Sequence, residues 1–263
     1  MIFGKSRSSE LIQKTHAVNL DGANAVEASI TQATGDLVVR GGALELMYGE
    51  FAYPEPLAPI IDYRMFAGRG RLAIEHQHPR HVRTDRDMHW NIALNDAVPL
   101  DLRVNRATGP TTLDVSTLNL TALALDQATG DTTVDLSGSH PALTAVKLSS
   151  ATGELGARLT GRYEQLARLK AKTATGDITL DLSGIWETDL HARVEVATGD
   201  ILLRVPESCG VEVKVAAAVS RVYAPGFHHD GKTLRNAAFG VAPVTLAIAI
   251  EAAVSNITLE SVS

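Results

Sequence analysis

One short element dictates what this chain can fold into: a small residue, a variable residue, a glycine, an acid (Pro110 in one copy), and then a strand. It reads ATGDLVV (33–39), ATGPTTLDVS (107–116), ATGDTTVDLSG (128–138), ATGELGARLTG (151–161), ATGDITLDLSG (174–184) and ATGDILLRV (197–205). Two weaker copies follow, AVSRVYA (218–224) and AVSNITLE (253–260). From Ala107 through Ala128, Ala151, Ala174 and Ala197 to Ala218 the steps are 21, 23, 23, 23 and 21 residues. Such fixed self-similarity marks a stack, because one unit cannot bury its apolar face alone.

Within a unit the period is two. Ile178, Leu180 and Leu182 share one face of DITLDLS, and Thr179, Asp181 and Ser183 share the other. Before the next glycine, Leu190, Ala192, Val194 and Val196 point one way, and His191, Arg193 and Glu195 the other. These are half-buried strands joined by turns. The pattern predicts an all-β, single-chain β-solenoid of roughly 21–23-residue coils with two parallel sheets.

Residues 1–100 break the period, since Ala33 and Ala107 are 74 residues apart. An irregular N-terminal β region over 1–100 is expected to cap a solenoid over 101–263, the two forming one continuous domain or a pair. A smaller excursion is expected over 221–252. Caps suit the physics, because an uncovered coil exposes unpaired backbone groups.

The net charge of -6 argues against a nucleic-acid partner. A single cysteine, Cys209, excludes an intramolecular disulfide and a cysteine-based zinc site. The start, MIFGKSRSSE, carries no signal-peptide core, so the chain as given reads as cytoplasmic. The longest uncharged apolar run, 236–250, is too short to span a bilayer and contains Pro243.

If units stack, residues at equal offsets form columns spaced about 4.8 Å apart. The glycine column is read as a corner that needs positive φ. Next to it, Asp131, Glu154, Asp177 and Asp200 line up. They are either turn carboxylates that accept local backbone N–H bonds or a ladder of like charges that holds a hard cation such as Ca²⁺. Four residues before each alanine, Arg103, Lys147, Lys170, Arg193 and Lys214 form a basic column interrupted by Ala124. It either solubilises an exposed sheet or binds an anionic polymer. Asp135, Arg158, Asp181 and Arg204 alternate in sign, which predicts ion pairs between rungs.

The densest polar cluster contains Glu75, His76, His78, His81, Asp85, Asp87 and His89. Its histidine spacing could hold a metal, but Arg80, Arg83 and Arg86 bring cations into the same stretch. His228, His229 and Asp230 read as a polar turn. No nucleophile-elbow, phosphate-loop or zincin motif occurs. An enzyme acting on an anionic polysaccharide is the alternative class, with Trp90, Tyr163 and Trp186 as the stacking platforms for sugar. Its acids and bases should converge off the repeat, whereas here most lie on it.

The stretches ATGDLVVRGGALELMYGEFAY, PLDLRVNRATGPTTLDVSTLNL and APGFHHDGKTLRN, with the ending VTLAIAIEAAVSNITLE, resemble the bacterial toastrack family, itself related to adhesin-like and cell-wall-active antibiotic-response proteins. The resemblance runs over roughly residues 20–263. It implies a β-solenoid with a non-enzymatic, envelope-associated role and no catalytic residues to carry over. The expected partner is a protein or, through the basic column, an anionic envelope polymer, and the degraded terminal repeats leave self-association through the solenoid ends also open.

Overall fold

The computed structural model describes residues 11–76 and 88–263. Strands dominate it, and the one helical element is a 3-10 turn at Glu55–Leu57. The repeats stack as predicted. On the wide face Leu100–Thr108, Leu120–Thr129, Ala145–Thr152, Arg168–Thr175 and Leu190–Thr198 pair in parallel, each with the same residue of the repeat opposite. After the glycine corner, Thr111–Asp114, Thr132–Asp135, Leu155–Arg158, Ile178–Asp181 and Ile201–Pro206 form a second parallel ladder. Both run in register because a one-residue slip would turn every apolar side chain outward.

A third, narrow ladder joins Ser139–His140, Arg162–Tyr163 and Ile185–Trp186, so these coils have three sides where period-two alternation predicts two. Two-residue strands are too short to show a period. Inside, Leu102, Leu123, Val146, Leu169 and Ala192 stack in one buried column, and Leu113, Val134, Ala157, Leu180 and Leu203 in another. Burial of these columns is the main stabilising term.

The stack begins before Leu100. Ala25–Gln32 and Asp36–Ala43 lie in register on the 100–114 coil. Arg69–His76 and His89–Asn95 add a further coil beyond them. Antiparallel strands then flank this end: Met47–Pro54 pairs with His89–Asn95 and Leu11–Val18, and Pro59–Phe66 pairs with Arg69–His76.

At the far end, order along the chain and order in space part company. Gly210–Tyr223 leaves a gap that Thr245–Val262 fills, pairing with Leu190–Thr198 and Ile201–Pro206 on one side and with Gly210–Tyr223 on the other. The last repeat in the sequence is therefore the next-to-last rung. Between these strands, His228–Asp230 and Thr233–Arg235 fold back against Glu212, Val213 and Lys214, and bury Phe227 and Leu234 over the end of the core.

Candidate functional site

The corner is built from backbone. Gly109, Gly130, Gly153, Gly176 and Gly199 have φ between 115° and 144°. At each of the five, an added Cβ would collide with the carbonyl oxygen of the glycine one rung earlier. Both conformation and close approach require glycine here.

The acidic column sits beside it. Asp131 Oδ1 accepts the backbone N–H of Glu154 at 3.0 Å, and Asp177 Oδ1 accepts that of Asp200 at 2.7 Å. Asp200 Oδ1 accepts the N–H of Asn256 at 2.9 Å, and Asn256 Nδ2 donates to the same carboxylate. These bonds run between coils, not within one turn. Those from Asn256 hold the Asp200 carboxyl below its usual range. Among the described residues, no three His, Cys, Asp or Glu side chains are grouped to hold a metal ion.

The basic residues share the wide face but not a continuous column. Ala124 interrupts it after Arg103, and Lys214 does not follow Arg193, because Ala249 on the inserted strand lies between them. Each cation has an acidic neighbour: Arg103 with Asp101 at 3.1 Å, Lys147 with Asp126 at 2.8 Å and Lys214 with Glu212 at 3.0 Å. Lys170 and Arg193 converge on Glu195 at 2.8 and 2.6 Å, with Lys172 at 3.4 Å. Hydrogen bonds from Lys170, and then from Lys172, hold the Glu195 carboxyl below its ordinary range. The face is charge-balanced at short range. On the second ladder the expected alternation pairs only in part: Arg158 meets Asp135 at 3.3 Å, but Arg204 pairs with Glu260 of the inserted strand at 2.9 Å, and Asp181 Oδ1 accepts from Ser183 instead.

A shallow groove of about 630 Å³ runs along the corner, floored by the exposed Ala107, Ala128, Ala151 and Ala174. Beneath it lies a buried polar seam that the repeat pattern did not single out. Arg106 donates to Gln32 Oε1, the Gly35 carbonyl, Thr111 Oγ1 and the Pro110 carbonyl. Thr111 and Thr132 both bond Gln127 Oε1, at 2.6 and 3.1 Å. Burial pulls the Arg106 guanidinium down to about 10, against the opposing pull of Asp36. The available signal was the residue just before the alanine in five of the six ATG copies: Gln32, Arg106, Gln127, Ser150 and Thr173 are polar at a buried position, and only Val196 is apolar there.

The histidine cluster is only partly described, and His78, His81, Asp85 and Asp87 lie outside the described residues. His76 is buried and its Nδ1 accepts the N–H of Ala33 at 3.2 Å, while Glu75 and His89 are exposed. His228, His229 and Asp230 are exposed on a short strand. Trp90, Tyr163 and Trp186 are buried, so none is a platform for sugar as the enzyme reading required. Tyr163 and Trp186 belong instead to an internal column with His140, their ring centroids 6.0 and 4.7 Å apart along His140–Tyr163–Trp186.

In-register parallel rungs, a glycine corner and inter-coil carboxylate links define a β-solenoid of short coils. The chain belongs to the toast-rack family: residues 7–157 match the family described as the N-terminal domain of toast_rack, DUF2154. No curated protein matches it. Among solved structures it is similar to a candidate cell adhesion protein from Clostridium sporogenes, at 21% identity over 96% of this chain and 100% of that one, with a TM-score of 0.52. A candidate adhesin from Bacteroides fragilis (13% identity, 96% and 98% covered, TM-score 0.31) and a candidate lipid binding protein from Parabacteroides distasonis (9%, 95% and 97%, 0.37) are more distant. Among the described residues, no helix is long and apolar enough to cross a membrane.

Proposed function

We propose that this chain is a non-enzymatic, adhesin-like interaction module that presents a rigid ladder surface to a protein or anionic polymer of the bacterial cell envelope. The observation that carries the reading is that the acids and bases of the repeat columns are largely spent on one another and on backbone N–H groups. A catalytic pair needs titratable groups that converge and are tuned apart. Side chains held in ion pairs and inter-coil bonds build a stable, evenly charged surface instead. Membership of the toast-rack family fits such a scaffold, and the candidate cell adhesion protein from Clostridium sporogenes shares the fold.

Retention of the purified chain on isolated envelope material, at low and high salt, tests the reading, with a panel of anionic polysaccharides incubated alongside. Salt-sensitive retention without product release is expected. Release of saccharide products would overturn it.

A further inference from the structure

The two ends of the solenoid are finished differently. At the N-terminal end, Leu11–Val18 is an edge strand whose Lys14 and His16 align with the core-facing Phe51 and Gly49. The His16 ring meets Phe51 edge-on at 5.8 Å. A lysine on the core-facing side of an edge opposes the docking of another strand. The neighbouring edge, Pro59–Phe66, carries Pro59 and an exposed Asp62–Arg64 ion pair.

The opposite end lacks such protection. Among the described residues, the last rung, Gly210–Tyr223, is covered on its outer side over 211–215: Thr233–Arg235 pairs with Glu212, Val213 and Lys214, Asn236 bonds Val211, and the Val215 N–H donates to the Lys232 carbonyl. Among the described residues, none pairs with the outer side of 216–223. This stretch, AAAVSRVY, has no proline, and its one charge is Arg221. Val219 and Tyr223 are 65% and 66% exposed there, and Val254 on the next rung is 53% exposed.

We propose that the open edge at 216–223 pairs with the same edge of a second copy of this chain, giving a closed two-fold dimer. The sequence of the edge is complementary to its own reverse. Antiparallel pairing about a two-fold axis between Val219 and Ser220 sets Tyr223 opposite Ala216, Val222 opposite Ala217 and Arg221 opposite Ala218. Tyr223, Val222 and Arg221 then each meet an alanine, and Val219 meets Ser220. Faces match as well, because opposite residues of an antiparallel pair share a side. Val222 aligns with the buried Ile257, and Ala217 with Ala252 in register with the buried Val196, so both belong to the core side. Tyr223 and Ala216 align with the outward Thr258 and Glu251. The two Arg221 side chains are offset from each other, so no like charges lie directly opposite. Head-to-tail pairing would instead bring Arg221 toward the edge that carries Lys14 and His16. An isologous contact closes on itself, whereas a heterologous one would build filaments.

Analytical ultracentrifugation of the full chain over a concentration series tests this. The wild type is expected to be a concentration-dependent dimer. Ala216→Tyr leaves the monomer intact, since Ala216 is exposed, but crowds the partner's Tyr223, and should raise the dimerisation midpoint about tenfold or more. Ala216→Tyr combined with Tyr223→Ala exchanges large and small across the axis and should restore the dimer. Phe66→Lys at the other end should change nothing. A monomer at all concentrations, open-ended growth, failure of the exchanged pair to recover, or loss of the dimer with Phe66→Lys would each overturn the proposal.

Discussion

Asp177 Oδ1 lies 2.7 Å from the backbone nitrogen of Asp200, one coil further along, and accepts its N–H. A carboxylate expected either to bond within its own turn or to help hold a cation is thus a tie between neighbouring coils. Asp131 does the same for Glu154, and Asp200 for Asn256.

Removing the tie at Asp177 should therefore cost stability and not activity. Asp177→Ala is expected to destabilise by about 1 kcal/mol, the usual net worth of one such bond, while Asp177→Asn keeps an acceptor oxygen and loses less. Urea unfolding midpoints measure both. Because one oxygen of each of Asp131, Asp177 and Asp200 is already committed, millimolar Ca²⁺ should leave the melting temperature unchanged. A clear upward shift would instead favour a cation in this column.

Gly176→Ala should be the more damaging change at the same corner. It places a side chain at φ 134° and drives its Cβ into the Gly153 carbonyl. Strain of this kind costs about 1–3 kcal/mol before the clash is counted. Thermal melting followed by circular dichroism would show it. Gly42, also at positive φ but with open space around it, should suffer the conformational strain alone.

His140 gives the fold a pH dependence. It is fully buried, and burial holds its pKa below the ordinary histidine value, against the opposing pull of the Leu118 and Leu136 backbone. The unfolded chain takes up this proton near pH ~6.5 while the folded chain resists it. The neutral ring's contribution is therefore complete above that pH and lost progressively as pH falls below it. His140→Phe, which keeps the contact with Tyr163, should flatten the decline in unfolding free energy between about pH 7 and 5. An unchanged slope would assign the decline to other groups.

Glu195 decides how much positive charge the wide face shows. Its lowered pKa means that its ion pairs stabilise the fold above the ordinary carboxylate range, near pH ~4.3, and fail as pH drops through the lower, folded value. Glu195→Gln leaves Lys170, Lys172 and Arg193 without their shared partner. Retention on an immobilised anionic polymer should then rise and become more salt-sensitive. If retention falls, the wild-type face binds through Glu195 rather than through its cations.

What could be read from residues alone was whatever repeats locally. Alternation of period two set which side chains face the core, and the recurring Gly-Asp pair marked a corner, because both are properties of one coil that the next coil copies. The columns followed from counting, and Asp131, Glu154, Asp177 and Asp200 do lie one above another. Three things were decided only when the chain closed on itself. Thr245–Val262 slipped between two earlier rungs, since pairing is settled by which open edge a strand can reach, not by its place in the sequence; that is why Lys214 is parted from Arg193. Arg106 became a buried pin, because its surroundings come from Gln32, Gly35 and Thr111 on separate strands. His140, Tyr163 and Trp186 became an internal stack, because strands of two residues carry no period and only the stacking of coils brings their rings together.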